Sequence, residues 1–267
     1  MPLAVCATPI GNLDDVTLRV LDELRDADVV LCEDTRHTRV LLDRHAIPGK
    51  KLLSYHEHNE AQRTAELLPR LEAGERVALV SDAGMPGISD PGGRLVAEAL
   101  AHGVPVTVLP GPTAVETALV ASGFAADRYQ FLGFLPRRAA ALAALWKELA
   151  GWPHPAVAFE SPQRLPATLR SLAEAQPARE VAVCRELTKR FEEVVRGRAA
   201  EVARRFSEAP KGEITLVFGA GKAEADVDTA LGAVAELVAA GVQRRRAADV
   251  VARLTGASRN ELYRRTL

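Results

Sequence analysis

Apolar positions in the first half of the chain follow two spacings that alternate. Short apolar runs predict strands, and apolar residues every three or four positions predict helices between them. The predicted strands cover residues 3–7, 29–32, 76–81 and 104–109; the predicted helices cover 16–25, 35–45, 59–72, a segment ending near 101, and 113–121. Strand, turn and helix in alternation are typical of a parallel sheet covered on both faces.

The alternation of predicted strands and helices changes near residues 115–125, although this segment does not have the composition of a linker. Further strands are predicted at 129–134, 156–160, 181–185, 191–195 and 214–218, with helices at 137–149 and 162–174. Helices at 227–240 and 244–254 follow, and Ser258 with Glu261 has the pattern of a capping box that opens a third. We therefore predict an α/β fold with two α/β domains, 1–118 and 119–222, and a helical tail, 223–267.

Composition narrows the class of protein. A chain of 267 residues suits two domains of ordinary size, and an apolar content of 48% can fill their cores. No run reaches the roughly 18 apolar residues that a membrane helix needs, and the first residues lack the basic region of a signal peptide. Three cysteines, Cys6, Cys32 and Cys184, lie far apart without a CxxC pair, which predicts buried thiols in a reducing cytoplasm.

Charge is distributed unevenly along the chain. Residues 241–267 contain seven arginines and two acidic residues, whereas the whole chain has a net charge of −1. The tail is therefore basic and the rest is acidic, which leaves a nucleic-acid partner open. Two interpretations of the tail also stay open: a helix-turn-helix unit that contacts RNA, or a solvated helical end.

Three turns rich in glycine and proline follow predicted strands, at residues 8–12, 82–93 and 110–113. Ligands of open α/β sheets bind at this edge, and glycine allows the backbone to approach a ligand closely. The turns therefore predict a ligand that is read mainly by backbone groups, such as a nucleoside. The chain has no GxGxxG, GxxxxGK[ST] or GxSxG motif, which argues against a dinucleotide site, a P-loop NTPase and a serine hydrolase.

Polar residues gather in three further clusters, at 33–36, 54–60 and 185–189. Each could be a capped helix start with surface charges or part of a reactive site. His56 and His58 stand two positions apart without a third ligand nearby, so we predict no metal site.

Five motifs occur in an order that resembles a known family: TPIGNL at 8–13, EDTR at 33–36, SDAGMPGISDPG at 81–92, PGPTA at 110–114 and GEITLV at 212–217. The set resembles the tetrapyrrole methylase superfamily over nearly the whole chain. Within it, EDTR and SDAGMPGISDPG resemble the branch of bacterial 16S rRNA cytidine 2′-O-ribose methyltransferases. Met85 stands where that branch usually has Thr, and Thr113 where Ser is common.

The resemblance implies two α/β domains of the tetrapyrrole methylase type with S-adenosyl-L-methionine (AdoMet) bound in the cleft between them. It also implies 16S rRNA of the small ribosomal subunit as partner, near the decoding centre, and a homodimer. The residues implied in cofactor binding are Pro9, Ser81, Asp82, Ala83, Gly84, Met85, Ile88, Thr113 and Ala114 from the first domain, and Phe159, Leu187, Glu213, Ile214 and Thr215 from the second.

A ribose 2′-hydroxyl needs a group that accepts its proton and cations that hold the flanking phosphates. We predict that Asp34, Arg36, Glu186 and Lys189 supply them, with the base left open between Asp34 and Glu186. One alternative is a methyltransferase of the same superfamily that acts on a corrin precursor; the basic tail and EDTR argue against it. Another is a non-enzymatic RNA-binding assembly factor, which AdoMet binding would exclude.

Overall fold

A computed structural model describes residues 2–221 and 227–266 of the chain. Its first sheet has five strands, all parallel, in the order β3-β2-β4-β1-β5. The strands are β1 (Leu3–Cys6), β2 (Val29–Cys32), β3 (Lys51–Ser54), β4 (Val77–Leu79) and β5 (Val106–Leu109). Every residue of β1, β2 and β4 is buried, as expected for inner strands covered on both faces.

Five helices and one 3₁₀ turn (Leu13–Asp15) connect and follow these strands. Apolar clusters on the two faces of the sheet form two separate cores. Side chains of Thr17, Asp34 and Thr113 cap three of the helices by accepting hydrogen bonds from backbone N–H groups. The helices are α1 (Leu18–Asp26), α2 (Thr35–Arg44), α3 (Glu60–Glu72), α4 (Gly93–Ala101) and α5 (Ala114–Ser122).

The second sheet is mixed, with the strand order β6-β7-β10-β8-β9. Strand β6 is parallel to β7, and the other neighbouring pairs are antiparallel. Its elements are β6 (Gln130–Phe134), α6 (Ala139–Gly151), β7 (Ala156–Glu160), α7 (Leu165–Ala175), β8 (Glu180–Arg185), β9 (Glu193–Arg198), α8 (Ala199–Arg205) and β10 (Ile214–Phe218). The central strand β10 is entirely buried.

Helix α5 joins the two halves of the molecule. Its residues Val115, Ala118 and Leu119 pack against the second sheet, in a core that includes Val157 and Val217. The domain boundary predicted after residue 118 therefore falls inside a helix, and the boundary predicted after residue 222 lies outside the described residues. The division into 1–118, 119–222 and 223–267 stays a prediction.

Three helices, α9 (Val227–Ala239), α10 (Arg244–Thr255) and α11 (Arg259–Arg265), form the described part of the tail. They share a small core that includes Ala230, Val234, Ala248 and Leu262. The Ser258 side chain caps α11 by accepting the N–H of Glu261, which the sequence pattern predicted. None of the described helices is long and apolar enough to span a membrane.

The observed architecture confirms the predicted fold class of two α/β layers with a helical tail. The predicted burial of the three cysteines is also confirmed, since all are free and buried. Strand β3 and helix α8 were not predicted from the sequence. Strand β3 is an edge strand with an exposed Lys51 and no fully buried residue, so its apolar pattern is weak.

Candidate active site

A cavity of about 640 Å³ lies between the two sheets. Its size falls in the range of small-molecule sites. Turns of the first half and strand ends of the second half form its two walls. The first wall consists of Ile10, Ala83, Gly84, Met85, Ile88, Ser89, Asp90, Thr113, Ala114, Val115 and Glu116; the second consists of Tyr129, Phe131, Phe134, Phe159, Glu160, Ser161, Pro162, Cys184, Leu187, Gly212, Glu213, Ile214 and Thr215.

The first wall is shaped mainly by backbone hydrogen bonds between turns. Thr8 and Gly84 form a reciprocal pair, with N–H to carbonyl distances of 2.8 and 3.0 Å. The Ser81 hydroxyl lies 3.2 and 3.3 Å from the carbonyls of Ala83 and Gly84. At the far end of loop 82–93, a Glu60 carboxylate oxygen accepts the N–H of Gly92 at 3.2 Å. The loop is therefore anchored at both ends before any ligand binds.

The second wall depends on a network of charged side chains. Glu186 Oε1 accepts the N–H of Glu213 at 3.0 Å and a hydrogen bond from Lys189 Nζ at 3.1 Å. Lys189 Nζ also lies 2.9 Å from Glu213 Oε2. Glu186 and Thr188 have positive φ angles of 53° and 63°, which cost about 1–3 kcal/mol in non-glycine residues. This network fixes Glu213 at the cavity.

Two glycines allow the parts of the site to approach closely. Gly212, with φ +99°, leaves room for Glu186, whose Cγ would collide with a Cβ at this position. A Cβ on Gly11 would lie 2.5 Å from Lys189 Cγ, and the neighbouring Asn12 N–H donates to Thr188 Oγ1 at 2.9 Å. Turn 8–12 of the first wall therefore touches loop 186–189 of the second.

Carboxylates at the edge of the first sheet have contrasting environments. Asp34 accepts side-chain hydrogen bonds from Nε and Nη2 of Arg36 and caps α2, and these hydrogen bonds hold its pKa well below the usual value. Asp90 lies on the cavity, where burial, and then the charge of Glu33, raises its pKa to about 6. Burial and the nearby Asp82 also raise the pKa of Glu33. A carboxyl group with a raised pKa is the stronger proton acceptor once it is ionised.

The structure places the predicted cofactor residues in two groups. Pro9, Ser81 and Asp82 are not among the lining residues. Asp82 instead accepts the N–H of Asp34 at 3.0 Å and lies 3.2 Å from His37 Nδ1. The other predicted residues meet at the cavity: Ala83, Gly84, Met85, Ile88, Thr113, Ala114, Phe159, Leu187, Glu213, Ile214 and Thr215.

The four predicted catalytic residues lie outside the cavity lining, and their role stays a prediction. Asp34 and Arg36 pair with each other, and the Arg36 side chain is 88% exposed. Glu186 and Lys189 stand directly behind Glu213. Within residues 2–221 and 227–266, no group of three or more His, Cys, Asp or Glu side chains is arranged to hold a metal ion.

Sequence analysis did not select several residues that line the cavity. Asp90 belongs to the quoted SDAGMPGISDPG motif, but its carboxyl was not singled out. The aromatic side chains Tyr129, Phe131 and Phe134 belong to a segment predicted only as a strand. The only sequence signal for them is the concentration of three aromatic residues within 129–134 in a chain with 4% aromatic residues.

Solved structures of methyltransferases share this two-layer fold. Uroporphyrin-III C-methyltransferase from Thermus thermophilus, in a crystal structure complexed with S-adenosyl homocysteine, superposes with a TM-score of 0.57. It is 23% identical, and the match covers 81% of this chain and 96% of that chain. At this identity the likeness concerns the fold alone.

The sequence gives the narrower class. The profile of the family Tetrapyrrole (Corrin/Porphyrin) Methylases matches residues 2–203, and the chain belongs to that family. A Mesorhizobium japonicum protein named ribosomal RNA small subunit methyltransferase I is 44% identical over 99% of this chain and 91% of its own length. A Thermotoga maritima protein of the same name is 47% identical over 81% of this chain and 97% of its own length. The resemblance inferred from the five motifs is thereby confirmed.

Proposed function

We propose that the protein is an AdoMet-dependent methyltransferase that modifies 16S rRNA of the small ribosomal subunit in the cytoplasm. The finer proposal is transfer to the ribose 2′-oxygen of a cytidine near the decoding centre, by a homodimer. Full-length similarity to proteins named ribosomal RNA small subunit methyltransferase I supports the rRNA substrate. The single structural observation behind the proposal is the cavity, because residues from four of the five family motifs line it: TPIGNL, SDAGMPGISDPG, PGPTA and GEITLV.

The residues of the cavity suit AdoMet. Its walls combine apolar side chains, such as Ile10, Met85 and Leu187, with backbone groups of the glycine-rich turns, which matches a flat nucleoside. The Glu213 carboxylate adds negative charge on the lining, as a cationic ligand needs. When bound, AdoMet supplies a methyl group attached to a positively charged sulfur. Residues 83–85, 113–114 and 213–215 would hold it, with Pro9, Ser81 and Asp82 supporting the turns from behind.

On the acceptor side, we keep Asp34, Arg36, Glu186 and Lys189 as proposed catalytic residues. The two clusters flank turns that contact each other, because Thr8 pairs with Gly84 and Asn12 contacts Thr188. Arg36 and Lys189 can hold phosphates beside the acceptor, Arg36 with a planar fork and Lys189 as a point charge.

Asp34 and Glu186 are weak proton acceptors, because their pKa values are both lowered. The Arg36 hydrogen bonds act on Asp34, and the Glu213 backbone N–H, followed by Lys189, acts on Glu186. We therefore assign them the orientation of the two cations and leave acceptance of the 2′-hydroxyl proton to another group.

One experiment tests the function and its alternatives together. Purified protein is incubated with methyl-labelled AdoMet and small subunits from cells that lack their own enzyme, and the label is mapped by nuclease digestion and mass spectrometry. We expect label on one ribose 2′-oxygen of 16S rRNA. Label on a corrin precursor supplied in parallel, with none on rRNA, would establish the small-molecule alternative. Failure to bind AdoMet in calorimetry would indicate a non-enzymatic assembly factor. Analytical ultracentrifugation of the same preparation tests the homodimer.

A further inference from the structure

The mouth of the cavity carries two large apolar side chains that face solvent. Phe134, at the end of β6, is 62% exposed, and Ile88, on loop 82–93, is 54% exposed; both line the cavity. They come from opposite walls. The residues beside them approach each other, since a Cβ on Gly133 would lie 3.8 Å from Ser89 Oγ. The two apolar side chains therefore flank one narrow opening.

The Phe134 ring is held in place from behind. Phe159 packs edge-to-face against it, with ring centroids 5.5 Å apart, and Phe131 packs against Phe159 at 5.1 Å. Aromatic residues make up only 4% of the chain, so three phenylalanines at one opening are a local concentration. A ring that is already fixed loses little conformational freedom when a ligand stacks on it.

Positive charge follows directly along the chain. Arg137 and Arg138 are exposed and come three and four residues after Phe134. Neither has an ion-pair partner in the part of the chain that the structure describes. An exposed aromatic ring followed within four residues by exposed arginines is a combination suited to single-stranded nucleic acid, in which the base stacks and the cation meets the phosphate.

We propose that Phe134 and Ile88 hold the base of the acceptor nucleotide, swung out of its stack, while Arg137 and Arg138 contact a neighbouring phosphate. This inference rests on the proposed rRNA substrate. A methyl donor in a cavity between two sheets is out of reach of a ribose within a folded ribosomal subunit, so the nucleotide must be presented at the mouth. Enzymes that do chemistry on a base extrude its nucleotide and stack the base on aromatic or apolar side chains, and an extruded nucleotide would bring its ribose to the cavity in the same way.

The test compares Phe134→Ala with Phe134→Trp and with Phe191→Ala. Phe191 is also an exposed phenylalanine, at 65%, but it does not line the cavity. We expect Phe134→Ala to raise KM for small subunits roughly 10–100-fold, the range for loss of one base–aromatic stack. AdoMet affinity should change less than about threefold, Phe134→Trp should retain most of the activity, and Phe191→Ala should behave as wild type.

Several outcomes would contradict the proposed stacking of the acceptor base on Phe134. An unchanged KM in a folded Phe134→Ala variant would remove Phe134 from substrate binding, and equal losses in Phe134→Ala and Phe191→Ala would indicate a general surface effect. Absence of rRNA methylation by the wild-type protein would instead refute the proposed function. Thermal unfolding of each variant separates loss of binding from loss of folding.

A half-buried carboxyl group, that of Asp90, lies on the cavity beside this opening. Asp90 follows Ser89 in the sequence and lines the cavity, in the same loop as Ile88. Glu33, Asp82 and the Ser81 hydroxyl lie near enough to Asp90 to act on its pKa. Among the carboxylates of the described residues, Glu116, Glu160 and Glu213 also line the cavity. Burial, and then the charges of Glu33 and Asp82, disfavour the ionised form of Asp90, whereas a hydrogen bond with Ser81 favours it.

We propose that Asp90 accepts the proton of the acceptor hydroxyl. As the new oxygen–methyl bond forms, the sulfur–methyl bond breaks and its electron pair stays on sulfur, while the hydroxyl proton moves to an Asp90 oxygen. The positive sulfonium and the negative carboxylate thereby become a neutral thioether and a neutral carboxylic acid. This assignment also rests on the proposed function.

The pH dependence of turnover tests this role. Because the pKa of Asp90 is raised to about 6, single-turnover rates of the wild-type protein should rise from pH 5 to pH 7 and then level off. Asp90→Asn should lose roughly 10²–10⁴-fold in rate and lose the rise near pH 6, while AdoMet affinity stays within a few fold. Asp90→Glu should recover part of the rate.

Asp127→Asn, a change at an exposed residue outside the cavity lining, serves as the matched control. A folded Asp90→Asn variant with a full rate, or with the same pH profile as wild type, would exclude Asp90 as the proton acceptor. A variant that fails to bind AdoMet would place Asp90 in the donor site instead.

Discussion

The two walls of the cavity are built by different physical means. The first wall consists largely of turns whose backbone groups bond to each other, as in the pairing of Thr8 with Gly84. The second wall relies on side chains: the network of Glu186, Lys189 and Glu213, and the phenylalanines at the mouth. Backbone turns can follow the shape of one constant ligand, whereas side chains can change with the substrate. We infer that the backbone turns of the first wall serve the donor together with residues 213–215, and that the phenylalanines of the second wall discriminate the acceptor together with Ile88.

The largest expected effect comes from adding a methyl group where the second wall is most crowded. Gly212→Ala would place a Cβ against Glu186 at a φ of +99°. Strain of this kind and overpacking cost about 1–3 kcal/mol each, so we expect a loss of roughly 2–4 kcal/mol in the free energy of unfolding, measured by urea denaturation. Gly11→Ala, at the contact between the walls, should cost less, because Gly11 lacks the positive φ of Gly212, although its added Cβ would lie 2.9 Å from the Leu187 carbonyl oxygen.

Gly232→Ala is the control for these two glycine changes. This helical glycine has no atom within 4 Å of an added Cβ, so alanine should stabilise the protein by about 0.5–1 kcal/mol. If Gly212→Ala were no more destabilising than Gly232→Ala, the second wall would have to be more adaptable than its contacts indicate.

A smaller effect is expected from removing the cation that joins the carboxylates of the second wall. Lys189→Met takes away a partner that, after the Glu213 N–H, lowers the pKa of Glu186. A carboxyl group with a lowered folded-state pKa stabilises the fold above its unfolded pKa, and this contribution is lost as pH falls through the folded value. We expect Lys189→Met to cost about 1 kcal/mol at pH 7 and the difference from wild type to shrink below about pH 4.

Urea denaturation at several pH values measures this difference, and Lys147→Met, at an exposed position of α6, is the control. A loss at pH 7 that persists unchanged at pH 3 would mean that Lys189 stabilises the wall by packing of its alkyl chain and not by charge.

The two walls also differ in how far the sequence predicts them. The inner strands of the first sheet were predictable because they are buried on both faces and form apolar runs, as in β1 and β2, whereas its edge strand β3 was not. The arrangement of the second sheet was not, because β10 lies between β7 and β8 through contacts distant in sequence. The local pattern of apolar and polar residues carries no information about this strand order.

The same limit applies to the site. The glycine-rich turns can be recognised from their composition, and residues of loop 82–93 line the cavity. The raised pKa of Asp90 arises from its partial burial and from the charge of Glu33, which lies 57 positions earlier in the chain. The exposure of Phe134 could not be predicted from the sequence either, because an apolar residue at a strand end predicts burial.

The smallest expected effect concerns the helical tail and separates general attraction to RNA from discrimination by the second wall. Arg245 and Arg246 are exposed on α10. If they meet phosphates, Arg245→Gln with Arg246→Gln should weaken binding to small subunits and reduce the slope of log K against log salt by about one to two. KM for AdoMet and the preference for the acceptor nucleotide should not change, because phosphate contacts carry no information about the base. Filter binding between 50 and 200 mM salt measures the slope. An unchanged slope would make the tail a solvated helical end, and a changed site of methylation would mean that acceptor discrimination is not confined to the cavity walls.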